Sequence, residues 1–561
     1  MIKVWLKKEI SEKYPNVEFD ILTPPDDKMG DYSINLAFVL AKKENKNPRE
    51  VAQKIVNDLM EDDSFKEKKL KMEEKNGFIN FYLSEDRLRN SLVEIIKEGE
   101  RFGDSQIGKG IKINLEFVSA NPTGPLTVGN ARAASFGDTL GNILKKTGHE
   151  VVKEYYINDI GNQVNLLGMS IASHLVGSHF HFIEENRENF YKGEYVKKIS
   201  KERKLKMIIK EILGEDILKK DSQFTLDEFT KMANICAGYG IERIKKGAKK
   251  SMTKMGIKFN VWFSERTLHD NGEVNEVLTE LKRRGFVVEE DGAKWLKMNG
   301  DQKAVLVKSD GSTTYLANDI AYTKNKFERG FTSAINIWGA DHHGDVIRLK
   351  TGVSALGYDP DRLEILLHQL VAIKESGELQ KMSKRAGRFV LLDDLLSEVG
   401  KDAVRFFFLT RDLNTHMEFD VDLAKKQSKE NPVFYIQYAY SRLNSIFGKI
   451  TNHKSQITNK TQITKPEILN LLKEEEELRL LKGIAKFPEV VESVAENYQV
   501  HQLAQYTLNL AGDFHKFYEK HHVIQDDDVE LQSARLLLSQ GVHTVLKICL
   551  SLMGLSTPER M

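Results

Sequence analysis

The sequence predicts an α/β protein: a doubly wound parallel sheet carrying a helical insertion, with a small α+β domain before it and an all-α bundle after it. Three observations predict this class. Strand, helix and strand patterns follow one another twice, over residues 112–157 and 334–373, and such units build parallel sheets. A charged, mostly helical stretch at about 170–258 lies between them and reads as an insertion in one split sheet. After about residue 420 the strand signals fade, and long apolar-periodic patterns suggest a helical bundle.

The elements follow in chain order. Residues 35–43 and 48–60 read as amphipathic helices, the second with Val51, Ile55 and Leu59 at helical spacing. Residues 77–83 (GFINFYL) alternate like a strand. The segment RFGDSQIGKG, with three glycines, reads as a linker and closes a first domain of 1–105. Residues 112–118 (KINLEFV) form the next predicted strand, followed by a loop rich in Pro, Gly and Asn. A helix is expected from about Ala131, with Phe136, Leu140, Ile143 and Leu144 on its apolar face. Gly148 ends it, and 151–157 is the following strand. The second unit reads as strand 334–338, helix 345–356 and strand 363–373. The second domain spans 106–420. The third, 421–561, carries helical patterns at 432–450, 467–495, 500–521 and 529–555, with a polar loop at 455–465.

Composition excludes several classes. The chain has 561 residues, and 83 Lys+Arg against 82 Asp+Glu leave a formal net charge of +1. That excludes a uniformly basic nucleic-acid coat, though a local basic face remains possible. Cys236 and Cys549 are too few for a disulfide framework and too far apart for a zinc cluster. No apolar run approaches the roughly 18 residues of a membrane span. The start, MIKVWLKKEISEKYP, has no apolar core of a signal peptide. A cytoplasmic chain with no membrane partner is expected.

Two segments carry chemistry. Residues 116–132, EFVSANPTGPLTVGNAR, leave a strand, cross a turn built by Pro122, Gly124 and Pro125, and open a helix near Gly129 and Asn130. A helix start presents backbone N–H groups and a positive dipole end, which suit a phosphate. Residues 379–389, LQKMSKRAGRF, place Lys381, Lys384, Arg385 and Arg388 around Gly387, just past the last strand of the sheet. Lysines act as point charges on phosphates. Neither segment is specific alone, but together they form the two halves of a nucleotide site.

This pair, a PxTGPLxxGNxR turn with a KMSK loop downstream, resembles the class I aminoacyl-tRNA synthetases. Within them the chain is similar to the arginyl-tRNA synthetases. The similarity rests on EFVSANPTGPLTVGNARAASFGD (116–138), YYINDIGNQ (155–163), TTYLANDIAY (313–322), WGADHHGDV (338–346) and the closing LSTPERM (555–561). NPVFYIQYAYSR (431–442) resembles the start of this family's helical anticodon-binding domain. GDYSINLAFVLAKK and GFINFYL resemble its extra amino-terminal tRNA-binding domain.

The resemblance implies a Rossmann-like catalytic domain and an arginine–tRNA ligase. ATP and L-arginine would form arginyl-adenylate, and the arginyl group would pass to the terminal adenosine of tRNA(Arg). Mg2+ would accompany ATP with no dedicated protein metal site, and the protein would act as a monomer. In the family, adenylate formation usually requires bound tRNA. The resemblance places Lys381, Lys384, Thr127 and Asn130 at the reaction. It places Pro125, Leu126, Gly129, Asn130, Arg132, His342, Met382, Ser383 and Lys384 on ATP. It places Glu116, Asn121, Asn158, Asp159, Gln163, Tyr315, Asp319 and His343 around arginine. Tyr315 and Asp319, four apart, share a helix face, and Asp319 would be the guanidinium's charge partner. Phe78 and Asn80 would touch the tRNA elbow, and Tyr438, Arg442 and Met561 the anticodon end.

Simpler readings compete at several positions. Asn158 and Asp159 suit helix caps, Asp319 a surface ion pair, and the aromatic stripe around Tyr438 a core. One departure stands out: the family usually has histidine at both ends of the four-residue turn motif, where this chain has Thr127 and Asn130. That departure supports the rival reading, a non-catalytic tRNA-binding paralogue. The KMSK residues, Glu116 and Asp319 oppose it.

Overall fold

The computed structural model describes residues 2–24, 29–176, 181–186, 188–219, 224–380, 390–452, 466–525 and 527–561. The polar loop expected at 455–465 lies outside the described residues.

The chain opens with the helix Ile2–Lys13 and an antiparallel sheet of β1 (Ile21–Leu22), β2 (Tyr32–Ile34), β3 (Lys71–Lys75) and β4 (Phe78–Tyr82), ordered β1-β2-β4-β3. Helices Leu36–Glu44 and Pro48–Glu61 pack on it. Pro48 begins its helix where a missing N–H costs nothing, and the Arg49 N–H donates to Asn47 Oδ1 at 3.0 Å. Val51, Ile55 and Leu59 enter the core of this unit. The helix Glu85–Glu98 then leads away and packs against the carboxy-terminal helices Glu475–Ala485 and Val529–Leu552.

The central sheet is parallel throughout. Its first strands are β5 (Lys112–Glu116), β6 (Glu150–Ile157) and β7 (Val261–Ser264). A small antiparallel sheet follows: β8 (Val287–Glu290), β9 (Ala293–Lys297) and β10 (Lys303–Val307). The chain then returns through β11 (Ser333–Gly339) and β12 (Leu363–His368) to complete the order β12-β11-β5-β6-β7. From β5 the chain winds one way to β6 and β7, then the other way to β11 and β12. The reversal leaves a crevice beyond the carboxyl ends of β5 and β11, where ligands bind in such sheets. The helix Val128–Lys146 covers one face, and Tyr315–Glu328 the other.

Two sequence expectations are corrected. The predicted strand 363–373 is two strands in different sheets, β12 and β13 (Val371–Glu375). β13 pairs with β14 (Glu378–Gln380) and β15 (Met417–Asp420). The break falls where the Gln369 N–H donates to Leu413 O, outside the β12 ladder. The helix expected from Ala131 begins at Val128, because Asn130 folds back onto Thr127. Neither β7 nor the β8–β10 sheet was foreseen.

The insertion is helical, as expected, and its longest helix, Leu226–Lys254, packs along Asn162–Ala172 over a core of its own. After β15 the described chain is helical: Val421–Lys425, Pro432–Asn452, Pro466–Leu469, Glu475–Ala485, Phe487–Asn497, His501–Lys520 and Val529–Leu552. The terminal tail returns to the sheet domain through one buried cation. Arg405 donates to Met553 O at 2.7 Å, Met255 O at 3.1 Å and Asp138 Oδ2 at 2.6 Å. Gly554 sits against it at φ +67°, where an added Cβ would lie 2.4 Å from the guanidinium. This joins the carboxy-terminal helix, the end of the insertion helix and the helix Val128–Lys146 at one point.

Candidate active site

Four of the five parallel strands, β5, β6, β7 and β11, lead into one crevice. Beyond β5 the backbone makes a strained elbow. Val118 has φ 70° and Ser119 φ 36°, and the Ser119 N–H closes a tight turn onto Phe117 O at 3.0 Å. Tyr156 N donates to Ser119 Oγ at 3.1 Å, and Tyr155 OH donates to Ala120 O at 3.2 Å. The elbow swings Asn121 over the strand ends, where its amide donates to Gln163 Oε1 at 2.8 Å. The sequence-predicted pair Asn121 and Gln163 is therefore brought together.

The helix Tyr315–Glu328 lays a polar stripe on the sheet: Tyr315, Asn318, Asp319, Tyr322 and Lys326. At its deep end two neighbouring carboxylates, Glu116 and Glu154, are both buried. Lys326 Nζ donates to Glu116 at 2.6 Å and to Asn336 at 2.7 Å. Arg329 holds Glu154 through two bonds of 2.7 Å, and Tyr322 OH donates to it at 2.5 Å. Buried carboxylates need such partners. Glu116 therefore does not face the crevice as expected. It lies beneath it, paired with a lysine, and contributes its field from below.

At the shallow end the stripe is acidic and less satisfied. Glu265, the residue after β7, is buried; Asn318 Nδ2 donates to its Oε1 at 2.5 Å. With the Asn158 amide oriented nitrogen-first, it donates to Glu265 Oε2 and Ile160 O at 3.1 Å each. Burial pushes the Glu265 carboxyl up to about 7, with nearby Asp159 adding to the rise. Asp319, half-buried, makes no side-chain hydrogen bond or ion pair among the described residues. Burial, and then Glu116, Glu265 and Asp345, hold it well above the usual carboxylate range. Tyr315 stands exposed at the mouth. An unpaired carboxylate among other acids, beside a planar amide and a phenol, can take a planar cation.

Asp159 is placed differently from its expected role at the substrate. Ser264 Oγ donates to one carboxylate oxygen at 2.6 Å and Arg266 N to the other at 3.1 Å. It caps the helix Glu265–Asp270 and so positions Glu265. Glu265 itself went unread in the sequence. The signal was the run VWFSER, a short apolar strand ending on an acid.

The phosphate side is built at Thr127. Asn130 Oδ1 accepts from Thr127 N at 2.9 Å and Thr127 Oγ1 at 3.1 Å. Asn130 Nδ2 and the Gly129 N–H make no hydrogen bond to a described residue, and an added Cβ at Gly129 would meet only Thr127 Oγ1, at 3.8 Å. This face is open to a ligand, with Pro125 beside it. The turn is tied to the far end of the KMSK segment: Thr127 bridges Leu391, Val128 N donates to Val390 O at 3.2 Å, and Leu392 N to Leu126 O at 3.0 Å. Lys381, Met382, Ser383 and Lys384 themselves lie outside the described residues. Two expected ATP contacts are corrected. Arg132 is 0 % exposed and donates to Gln369 O, Asp412 O and Thr415 O at 2.7–3.0 Å. The Leu126 side chain is also buried, and its carbonyl is taken by Leu392. Both hold the turn in place and face away from solvent.

His342 and His343 follow β11, exposed at the start of the helix His343–Ala355. A His342 ring nitrogen lies 3.3 Å from Asp345. From the insertion, Tyr195 OH donates to Thr123 O at 2.5 Å, and Gly193 lacks the side chain that would strike its ring. The sequence reading missed this clamp on the turn.

Away from the crevice, Phe78 packs on Phe38 at 4.8 Å. Asn80, expected as a tRNA contact, is only 3 % exposed, covered where Gly30 crosses β4. Tyr438 is 37 % exposed, and Arg442 both donates to its hydroxyl at 2.7 Å and lies over the rings of Tyr438 and Tyr518. Met561 is 51 % exposed. No described helix is long and apolar enough to cross a membrane.

Known proteins resemble the chain over its whole length. Residues 1–83 match the arginyl tRNA synthetase N terminal domain, 91–412 the class I (R) tRNA synthetase catalytic domain, and 436–561 the DALR anticodon binding domain. An arginine–tRNA ligase of Aquifex aeolicus is 40% identical, covering 100% of both chains. One from Thermotoga maritima is 40% identical over 100% of this chain and 99% of its own. Among solved structures, a putative arginyl tRNA synthetase of Campylobacter jejuni aligns with TM-score 0.71 at 31% identity, covering 85% of this chain and 100% of the other. Thermus thermophilus arginyl-tRNA synthetase shares the fold at TM-score 0.75 and 19% identity, with 100% of both chains covered.

Proposed function

Because the chain belongs to the arginyl-tRNA synthetase family and is an arginine–tRNA ligase, we propose that its arginine pocket is the acidic shallow end of the Tyr315–Glu328 stripe. The observation that carries this is the unpaired Asp319 carboxylate, surrounded by Glu116, Glu265 and Asp345. Asp319 and Glu265 take the guanidinium, Tyr315 covers its plane, and Asn318 and Asn158 aim Glu265. A cation entering this pocket relieves repulsion among acids that already exist there. Asn121 and Gln163, linked at the mouth, receive the substrate's ammonium and carboxylate end. His343 stands at the same mouth.

ATP lies along Pro125 and Gly129, with its phosphates toward the Gly129 N–H and Asn130 Nδ2 and its nucleoside toward His342. The arginine carboxylate attacks the α-phosphorus, and pyrophosphate leaves. No protein nucleophile is required, since holding the two reactants in line and stabilising charge suffice. Lys381 and Lys384, with Met382 and Ser383 between them, neutralise the departing pyrophosphate, and Mg2+ enters with ATP. A terminal adenosine hydroxyl of tRNA(Arg) then attacks the arginyl carbonyl, and AMP leaves. Tyr438, Arg442 and Met561 stack against the anticodon end, and Phe78 meets the elbow. One chain supplies every named group, and we take it to act as a cytoplasmic monomer.

ATP–pyrophosphate exchange with arginine and tRNA(Arg) tests the pocket. Asp319→Asn keeps the shape and removes the charge. Losing one member of a buried ion pair costs about 3–5 kcal/mol, so kcat/KM for arginine should fall on the order of 10²–10⁴-fold. An unchanged KM for arginine would refute the assignment.

A further inference from the structure

The insertion helix Leu226–Lys254 ends in cations that the chemistry above does not use. Lys246, Lys250, Lys254 and Lys258 recur at every fourth residue, and all four are exposed. On the helix the first three form one stripe, with about 6 Å of rise between successive ammonium groups, and Lys258 lies just beyond the helix end and the left-handed Gly256. Lys245 and Lys249 flank it. Three of the six are engaged: Lys245 with Glu242 at 2.8 Å, Lys254 with Asp393 at 2.8 Å, and Lys249 over the Trp262 ring at 5.0 Å. Asp393 also feels Lys250 at longer range. Among the described residues, Lys246, Lys250 and Lys258 have no carboxylate within ion-pair distance. Like charges four apart destabilise a helix, so this stripe is a cost to the protein by itself.

Its position says what relieves that cost. At one end Lys245 lines a small cavity with Asn121, Pro122, Gly124 and Trp262. At the other, Asp393 follows Leu391, which bridges Thr127. The stripe therefore runs along the rim of the catalytic crevice, from the arginine side to the phosphate side. Arginyl transfer requires the tRNA terminus inside this crevice, so the phosphates preceding that terminus must cross the rim. We propose that Lys246, Lys250 and Lys258 bind the phosphate backbone of the acceptor arm of tRNA(Arg). The proposal rests on the arginine–tRNA ligase activity. Lysines suit this role because phosphate contact is electrostatic and independent of sequence.

The test compares the full chain with the triple variant Lys246→Gln, Lys250→Gln, Lys258→Gln in aminoacylation of tRNA(Arg) at several salt concentrations. The expected result is a KM for tRNA raised about tenfold, with a salt dependence shallower by two to three phosphate contacts. The KM values for arginine and ATP should stay within about twofold. A second variant with arginine at the same three positions should restore the wild-type KM for tRNA. Wild-type KM and salt slope in the glutamine variant would overturn the proposal and leave the stripe to an acidic protein partner. A defect that arginine fails to restore, or one that persists at saturating tRNA, would overturn it too. A wild-type chain unable to charge tRNA(Arg) would instead strike the ligase activity itself.

Discussion

Arginine binding should expel protons, and the structure sets the size of the effect. Glu265 is buried with its carboxyl raised to about 7, chiefly by burial. Only its ionised form pairs with a guanidinium, which stays charged throughout the accessible range. With a midpoint near 7, roughly a tenth of Glu265 is ionised at pH 6 and roughly three quarters at pH 7.5. Arginine affinity should therefore rise about eightfold across that interval through Glu265 alone. Asp319, raised by burial and by the acids around it, makes the rise steeper. The sign in the ligand-free protein is opposite. A carboxyl raised in the folded state binds more protons there than in the unfolded chain, so stability falls as pH climbs from about 4.5 to 7. The loss through Glu265 is roughly 3 kcal/mol when complete. Calorimetric titration of arginine in buffers of different ionisation enthalpy counts the protons, and thermal unfolding with and without arginine reads the stability. Flat affinity between pH 6 and 7.5, with no buffer-dependent heat, would refute the reasoning. Glu265→Gln should flatten the profile while weakening binding at every pH.

Other outcomes can be read more briefly. Tyr195→Phe removes only the hydrogen bond to Thr123 O; at about 1 kcal/mol, kcat for pyrophosphate exchange should fall about fivefold with KM for arginine and the unfolding temperature nearly unchanged. Thr127→His should keep activity, with adenylate formation at least as fast; complete loss with an intact fold would show that the Thr127–Asn130 pair is required as it stands. Gly554→Ala forces a side chain into a left-handed position against the Arg405 guanidinium, and thermal unfolding should report a loss of roughly 2–4 kcal/mol. Tyr438→Ala should raise the KM for tRNA by an amount corresponding to about 1–3 kcal/mol, the value of one stacked base, and leave arginine and ATP parameters alone.

What the sequence showed, and what it hid, follows from the range of the forces involved. The helix at Gly129 was legible because capping is local: Thr127 and Asn130 lie three residues apart and determine that turn between themselves. The strand–helix–strand units 112–157 and 334–368 were legible because strand and helix periods are local and alternate along the chain, whereas the change of sheet at Gln369 depends on Leu413, far along the chain. Glu265 and β7 were not, because a four-residue strand at a sheet edge has almost no pattern, and the acid gains meaning only from Asp319 and Asn318, fifty residues away in the chain. Arg132 was misassigned for the same reason. An arginine beside a phosphate-binding turn looks exposed until Gln369, Asp412 and Thr415 offer it three carbonyls. Asn80 sits on the alternate face of β4, as the period of two predicts, but whether that face is open depends on the crossing at Gly30.

The near-neutral total of charges conceals a sorting by depth that the two-step reaction requires. Arginine and tRNA carry opposite charge, and both must meet in one crevice. A surface of uniform sign would attract one and repel the other. The fold separates the signs in space. Acids gather under the helix Tyr315–Glu328, where low polarity strengthens their attraction for a small cation. Of these, Glu116 is paired with Lys326, and Glu154 with Arg329 and the Tyr322 hydroxyl, so they add field without competing for substrate. Lysines stand on the rim, exposed, where salt screens them and a polyanion can slide and leave. Reversing the sorting would fail at both steps: an exposed Asp319 would bind arginine weakly through water, and a buried lysine stripe would hold tRNA only at the expense of release.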